Sequence, residues 1–355
     1  MLRDVLNRTA SRVDAAVGAA LFHRSARSRA RSSTESLDHG ARLHALRQII
    51  ELYDRPEHYE PGGSFFAEPA PITPRVERVR PLPEGDVVDW YWPSPFELHC
   101  TDVADRYLRH EQNRTAAARL FLHGDRPRPA VLLLHGYRAG QWALEARVWP
   151  VEWLFARGLD VVLPVLPFHA VRAPSLGAPL FPGSDPRVTN EGFRQAVLDL
   201  RTLARHLRDR GATDVGVMGM SLGGYTASLL ATVEPRLSFA VPMIPLASMA
   251  HMARSLGRFT GSALEQRAQF EALDAAHRAV SPLARAPLLD AGRVLVLAAE
   301  GDRITPLDHA RWLAAHFGAP LHLFEGGHIL QFGRGEAFRA VGRLLGKLGL
   351  LSRAA

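Results

Sequence analysis

The sequence predicts an α/β protein: a mostly parallel central sheet flanked by helices, with a small helical cap and an N-terminal helical extension. Two observations predict it. Short apolar runs of strand length, such as 130–134 and 215–218, suit strands buried on both faces of a parallel sheet. Longer segments with apolar residues at helical spacing separate them, which gives the alternation of a sheet covered on both sides.

In order along the chain, Leu2, Val5, Leu6, Val13, Val17 and Leu21 fall near one face of a first helix, and Arg24, Arg27, Arg29 and Arg31 form a basic run behind it. This helix has two readings. It packs on the main domain or a second subunit, or it lies on an anionic membrane surface, where each basic residue contributes about 1 kcal/mol. A second helix is expected over 36–53, with Leu37, Leu43, Leu46, Ile49 and Ile50 in its stripe. Residues 55–84 turn Pro- and Gly-rich and read as an irregular connector. These features divide the chain into an accessory segment, 1–84, and an α/β domain, 85–355.

Within that domain, strands are expected at 86–92, 116–122 and 130–134, a helix at 149–156 and a strand at 160–166. A Pro-rich loop, 166–188, precedes a long helix over 190–210, where Phe193, Ala196, Val197, Leu200, Ala204 and Leu207 recur at helical spacing. Strand 215–218, helix 225–231 and strand 239–244 follow. An insertion, 246–288, carries Met249, Met252, Leu256, Phe259, Leu264, Phe270 and Leu273 in a helical cap whose methionines suit adaptable apolar ligands. The last strands are expected at 293–299 and 320–324.

With 355 residues and 47% hydrophobic side chains, the chain can bury a large core. Its single cysteine, Cys100, excludes an intramolecular disulfide and suits a reducing cytoplasm, with peripheral membrane association as the alternative that the first helix raises. The net charge of +7 does not indicate nucleic-acid binding: residues 1–50 hold nine arginines against four acids, a net +5, and the remaining basic residues interleave with acids. No run of 18 apolar residues is present to span a bilayer.

Gly219-Met220-Ser221-Leu222-Gly223 stands between a strand and a helix and reads as a nucleophile elbow. A serine on such a turn takes a strained backbone, and the flanking glycines remove side chains that would collide with the neighbouring strand and helix. The first amides of the following helix then face the position where a substrate oxygen gathers negative charge. Upstream, His135-Gly136-Tyr137-Arg138-Ala139-Gly140 leaves the strand at 130–134, and the Tyr137 and Leu222 amides are the expected oxyanion donors. Asp302, in the turn after strand 293–299, is the expected acid, with Glu300 in reserve. His328, on the Gly326-Gly327 turn after strand 320–324, is the expected base.

The order Ser, Asp, His and the four motifs resemble the α/β-hydrolase fold superfamily of serine hydrolases over about residues 85–350. A narrower likeness is to esterase-like bacterial hydrolases with a Pro-Phe-His-x-x-Arg-x-Pro segment, here 167–174. The resemblance implies hydrolysis of a carboxylic ester through an acyl-enzyme. A peptidase or amidase, an acyltransferase, or a membrane-associated lipase or phospholipid deacylase would use the same triad.

His169 and Arg172 in that segment are candidate substrate contacts, Arg172 as a clamp for a carboxylate or phosphate. The histidines lack zinc-site spacing, and neither a phosphate loop nor a dinucleotide fingerprint occurs, so no metal or cofactor is expected. The expected partner is a small acyl substrate, with a membrane surface or second copy of the chain meeting the N-terminal helix. Because every catalytic motif lies beyond residue 130, removal of residues 1–50 is expected to leave turnover nearly intact.

Overall fold

One nine-stranded sheet runs through the computed structural model, which describes residues 2–29, 37–60, 64–124, 127–174 and 179–352; the side chains of Leu2 and residues 19–29 lie outside that description. The strands are β1 (Arg75–Leu82), β2 (Gly85–Pro93), β3 (Thr115–His123), β4 (Ala130–Leu134), β5 (Asp160–Pro164), β6 (Val215–Met220), β7 (Ala240–Met243), β8 (Val296–Ala299) and β9 (Leu321–Phe324). Their spatial order is β1-β2-β3-β5-β4-β6-β7-β8-β9. The β1-β2-β3-β5 neighbours pair antiparallel, and every pair from β5-β4 to β8-β9 is parallel, as expected from the buried apolar runs.

The period-two alternation of the strands builds one apolar layer on each face. Leu132 and Leu134 of β4 join a core with Leu203, Leu222 and Leu313, while Val131 and Leu133 join the opposite core with Leu154, Val341 and Leu345. The first face is covered by α6 (Pro186–Asp209), α7 (Leu222–Leu230) and α10 (Leu307–Phe317). On the second lie α4 (Trp142–Val148), α5 (Val151–Ala156) and α11 (Arg334–Lys347). Asp185 caps α6 through the Arg187 amide at 2.9 Å, and Pro186 occupies the first turn, where its missing N–H costs nothing.

Several boundaries differ from the sequence expectation. Residues 75–82 of the expected connector form the edge strand β1, whose side chains are almost all exposed on both faces and so lack a burial alternation. The helix expected from Trp149 starts at Val151, preceded by the separate α4, which ends where the Trp149 amide donates to Glu145 O. The cap consists of α8 (Met249–Ser255) and α9 (Ala263–His277), and α2 (His39–Tyr53) packs on it. Arg42 of α2 donates to Gln269 Oε1 at 2.9 Å and to Arg258 O at 2.8 Å.

Described elements of the first 84 residues, β1 and α2 among them, thus pack into the rest of the fold. Their first helix, α1 (Leu2–Arg29; α3 is the short Ala104–Leu108), docks by a face other than the apolar stripe. Ala10 and Asp14 are wholly buried, whereas Val5 is 55% exposed and Val13 and Val17 are half-buried. The side chains of Leu21, Arg24, Arg27 and Arg29, and all of Arg31, lie outside the described residues. No helix among the described residues is long and apolar enough to cross a membrane.

Candidate active site

Four loops meet at the C-terminal ends of the parallel strands, the ligand-binding edge of open α/β sheets. Ser221 joins β6 to α7 with φ 57° and ψ −112°, a backbone conformation costly for a residue with a side chain. Glycine on both sides makes the turn possible: a Cβ at 219 would lie 2.0 Å from Gly223 O, and one at 223 would lie 2.2 Å from Leu134 O. The turn is held by the Ser221 amide donating to Met243 O at 3.1 Å and by Ser221 O accepting from Tyr225 and Leu246. As the first residue of α7, Leu222 has an amide without an intrahelical acceptor, at the positive end of the helix.

The loop after β4 lies against this elbow, with the Gly136 side facing the Ser221 Cβ. His135 fixes it. Its Nδ1 donates to Gly136 O at 2.8 Å, and its Nε2 accepts from the Leu166 amide at 3.0 Å. That arrangement requires a neutral ring, and burial depresses the His135 pKa to about 4. Tyr137, Leu222 and Ser221 line one cavity of about 160 Å³, to whose wall the cap contributes Met249, Met252 and Leu273.

Asp302 and His328 come together from the ends of β8 and β9. His328 Nδ1 lies 2.8 Å from Asp302 Oδ2, and their side chains are 11% and 2% exposed. Asp302 Oδ1 accepts from the Ile304 and Thr305 amides, each at 2.8 Å, so the carboxylate is oriented by both oxygens. The buried Thr305 hydroxyl lies within 3.0 Å of Asp302 Oδ2, His328 Nδ1 and Ile244 O. Donation from Nδ1 to Asp302 leaves Nε2 as the proton acceptor. Among the described residues, no hydrogen bond joins the Ser221 hydroxyl to His328; such contacts tighten on substrate binding.

Glu300 turns the other way. It accepts from Arg3, and from Asn7 Nδ2 at 2.7 Å, and the Arg3 guanidinium holds its carboxyl below the usual range. His169 and Arg172 do not reach the cavity. His169 Nδ1 donates to Pro167 O at 2.8 Å, and burial holds its pKa well below the ordinary value. Arg172 is 1% exposed and donates to Val165 O and Asn113 O while paired with Asp199 at 2.8 Å. Arg172 thus ties the 166–174 loop to the body of the fold, whereas the His169 bond to Pro167 O stays within that loop. Thr305 and, on α1, Asp14 are site neighbours that sequence reasoning missed.

The sequence model of the alpha/beta hydrolase family matches residues 131–341. An uncharacterised Mycobacterium tuberculosis H37Rv protein, Rv2627c, is 31% identical over 311 residues, covering 85% of this chain and 74% of that one. Among solved structures, acetyl xylan esterase 1 from Thermoanaerobacterium sp. JW/SL YS485 superposes with a TM-score of 0.56 at 18% identity, covering 85% of this chain and 98% of that one. The acetyl xylan esterase from Paenibacillus sp. R4 gives a TM-score of 0.53 at 16% identity, covering 84% and 92%. At these identities the structural likeness speaks to the fold.

Proposed function

The chain belongs to the alpha/beta hydrolase family, and from that premise we propose that it is a serine hydrolase of carboxylic esters working through an acyl-enzyme. The observation that carries this reading is the strained Ser221 turn at the wall of a capped apolar cavity, with the His328–Asp302 pair on the adjoining loops.

In the proposed reaction, Ser221 Oγ attacks the ester carbonyl carbon as His328 Nε2 takes the hydroxyl proton. Asp302 holds the ring by Nδ1 and stabilises the imidazolium that forms. The Tyr137 and Leu222 amides receive the developing oxyanion, a contact commonly worth about 3 kcal/mol per donor. The C–O bond then breaks and the alcohol leaves with the proton from His328. Water repeats the sequence, deprotonated by His328, to release the acid and restore Ser221.

A concave cavity lined by Met249, Met252 and Leu273 supports a small acyl substrate over a flat lipid-binding face. The two acetyl xylan esterases of similar fold are consistent with ester chemistry here. A screen of acyl esters, thioesters and amides, comparing the protein with Ser221→Ala, tests the reading. Ester turnover that needs Ser221 supports it, and turnover confined to amides would replace esterase by amidase.

A further inference from the structure

We infer that α1, which lies outside the segment matching the family, is a working part of the active site, and that Asp14 is a positioning residue for the His328 loop. The inference rests on the reading of Ser221, Asp302 and His328 as a triad. Asp14 is wholly buried, and its carboxylate accepts three backbone amides of the catalytic loops: His328 at 2.7 Å, Ile329 at 3.0 Å and Arg303 at 3.2 Å. One carboxylate thus ties the backbone at the base to the backbone beside the acid. Asn7 Oδ1 accepts from the Gly326 amide at 2.7 Å, and Ser11 Oγ donates to Gly301 O at 2.7 Å.

These contacts recur at helical spacing. Arg3, Asn7, Ala10, Ser11, Asp14 and Gly18 form one stripe of α1, a polar and small-residue face matched to loop backbone. The loops are shaped for it in return. Gly301 and Gly327 are not among the residues with positive φ, so their backbone does not demand glycine. Space does. A Cβ at 327 would lie 2.5 Å from Asp14 Oδ2 and 3.1 Å from Ala10 Cβ, and one at 301 would lie 2.7 Å from Asn7 O and 2.9 Å from Ser11 Oγ. The glycines before the acid and the base admit the N-terminal helix.

Buried amides need acceptors, and here α1 supplies those of the loop that carries the base. Asp14→Asn is nearly isosteric but presents an NH2 group to one of three amide donors, so the loop must shift. A displacement near 1 Å at a catalytic group can cost about a hundredfold in rate.

The experiment measures kcat, KM and the pH profile for a p-nitrophenyl ester with the full-length protein and Asp14→Asn, per active site titrated with a fluorophosphonate. The inference predicts a kcat lower by about tenfold or more with KM within about twofold, and slower fluorophosphonate labelling, in protein whose circular dichroism is unchanged. A folded Asp14→Asn with wild-type kcat overturns it. If that variant does not fold, Asn7→Ala decides: a fall in kcat of about threefold or more at constant KM supports the inference, and wild-type kcat overturns it. Absence of labelling at Ser221 in the unsubstituted protein would instead refute the triad reading beneath it.

Discussion

His328 Nδ1 and Asp302 Oδ2 stand 2.8 Å apart, and the same carboxylate is fixed from its other oxygen by two amides of its own turn. The imidazole is therefore oriented by a group that is itself immobilised. Glu300, two residues earlier, is bound to Arg3 and Asn7.

From this pairing, Asp302→Asn and His328→Ala are each expected to lower kcat by about a thousandfold or more, since triad members act as a unit. Glu300→Gln should stay within about tenfold, its effect passing through α1. Steady-state kinetics on one activated ester checks the ranking, and a larger loss for Glu300→Gln than for Asp302→Asn would move the acid to Glu300.

The capped cavity sets an expected chain-length profile. Each buried methylene contributes about 0.8 kcal/mol while room remains, roughly a three- to fourfold gain in kcat/KM. For p-nitrophenyl esters, kcat/KM should rise from acetyl to a short or medium acyl chain and then fall. Leu273→Ala, which removes a cavity wall, should move the maximum toward longer chains. A wild-type profile still rising at palmitoyl, with interfacial activation, would point to a lipase.

Acid sensitivity follows from buried histidines. Burial depresses the pKa values of His135, His277 and His309 to about 4. Below about pH 6.5 the unfolded chain takes up protons that the fold refuses, so the stability present above that pH is lost on acidification from about 6.5 to about 4. Each group steepens the loss by at most about 1.4 kcal/mol per pH unit. Thermal melts should show Tm falling across this window, before most carboxylates titrate. His277, whose Nδ1 donates to Asn190 Oδ1 at 2.8 Å, offers the control: His277→Gln should flatten the slope. A Tm that is constant from pH 7 to 5 would contradict the account.

The parallel strands and the loops at 135–140, 219–223, 300–306 and 325–330 were legible because each is a local pattern: an apolar run followed by a glycine turn. Strand β1 was not, since Arg75-Val76-Glu77-Arg78 is exposed on both faces and joins the sheet through backbone pairing and polar contacts such as Arg78 with Asp86, which leave no apolar alternation. Arg172 read as a ligand clamp because its partner, Asp199, lies on a different element. Asp14 was hidden for the same reason on a larger scale, its amide donors being about 290 to 315 residues away. Its contacts bear directly on the expectation that removal of residues 1–50 leaves turnover nearly intact, because the stripe from Arg3 to Asp14 meets the loops that carry Asp302 and His328.

The central claim is that Ser221 is the nucleophile, and the most direct measurement is the site of covalent modification by a fluorophosphonate. Intact-mass and peptide analysis should show one adduct per chain on Ser221, with Ser221→Ala folded, unlabelled and inactive toward activated esters. An adduct on another residue, or a Ser221→Ala variant that still labels and turns over ester, would contradict the account.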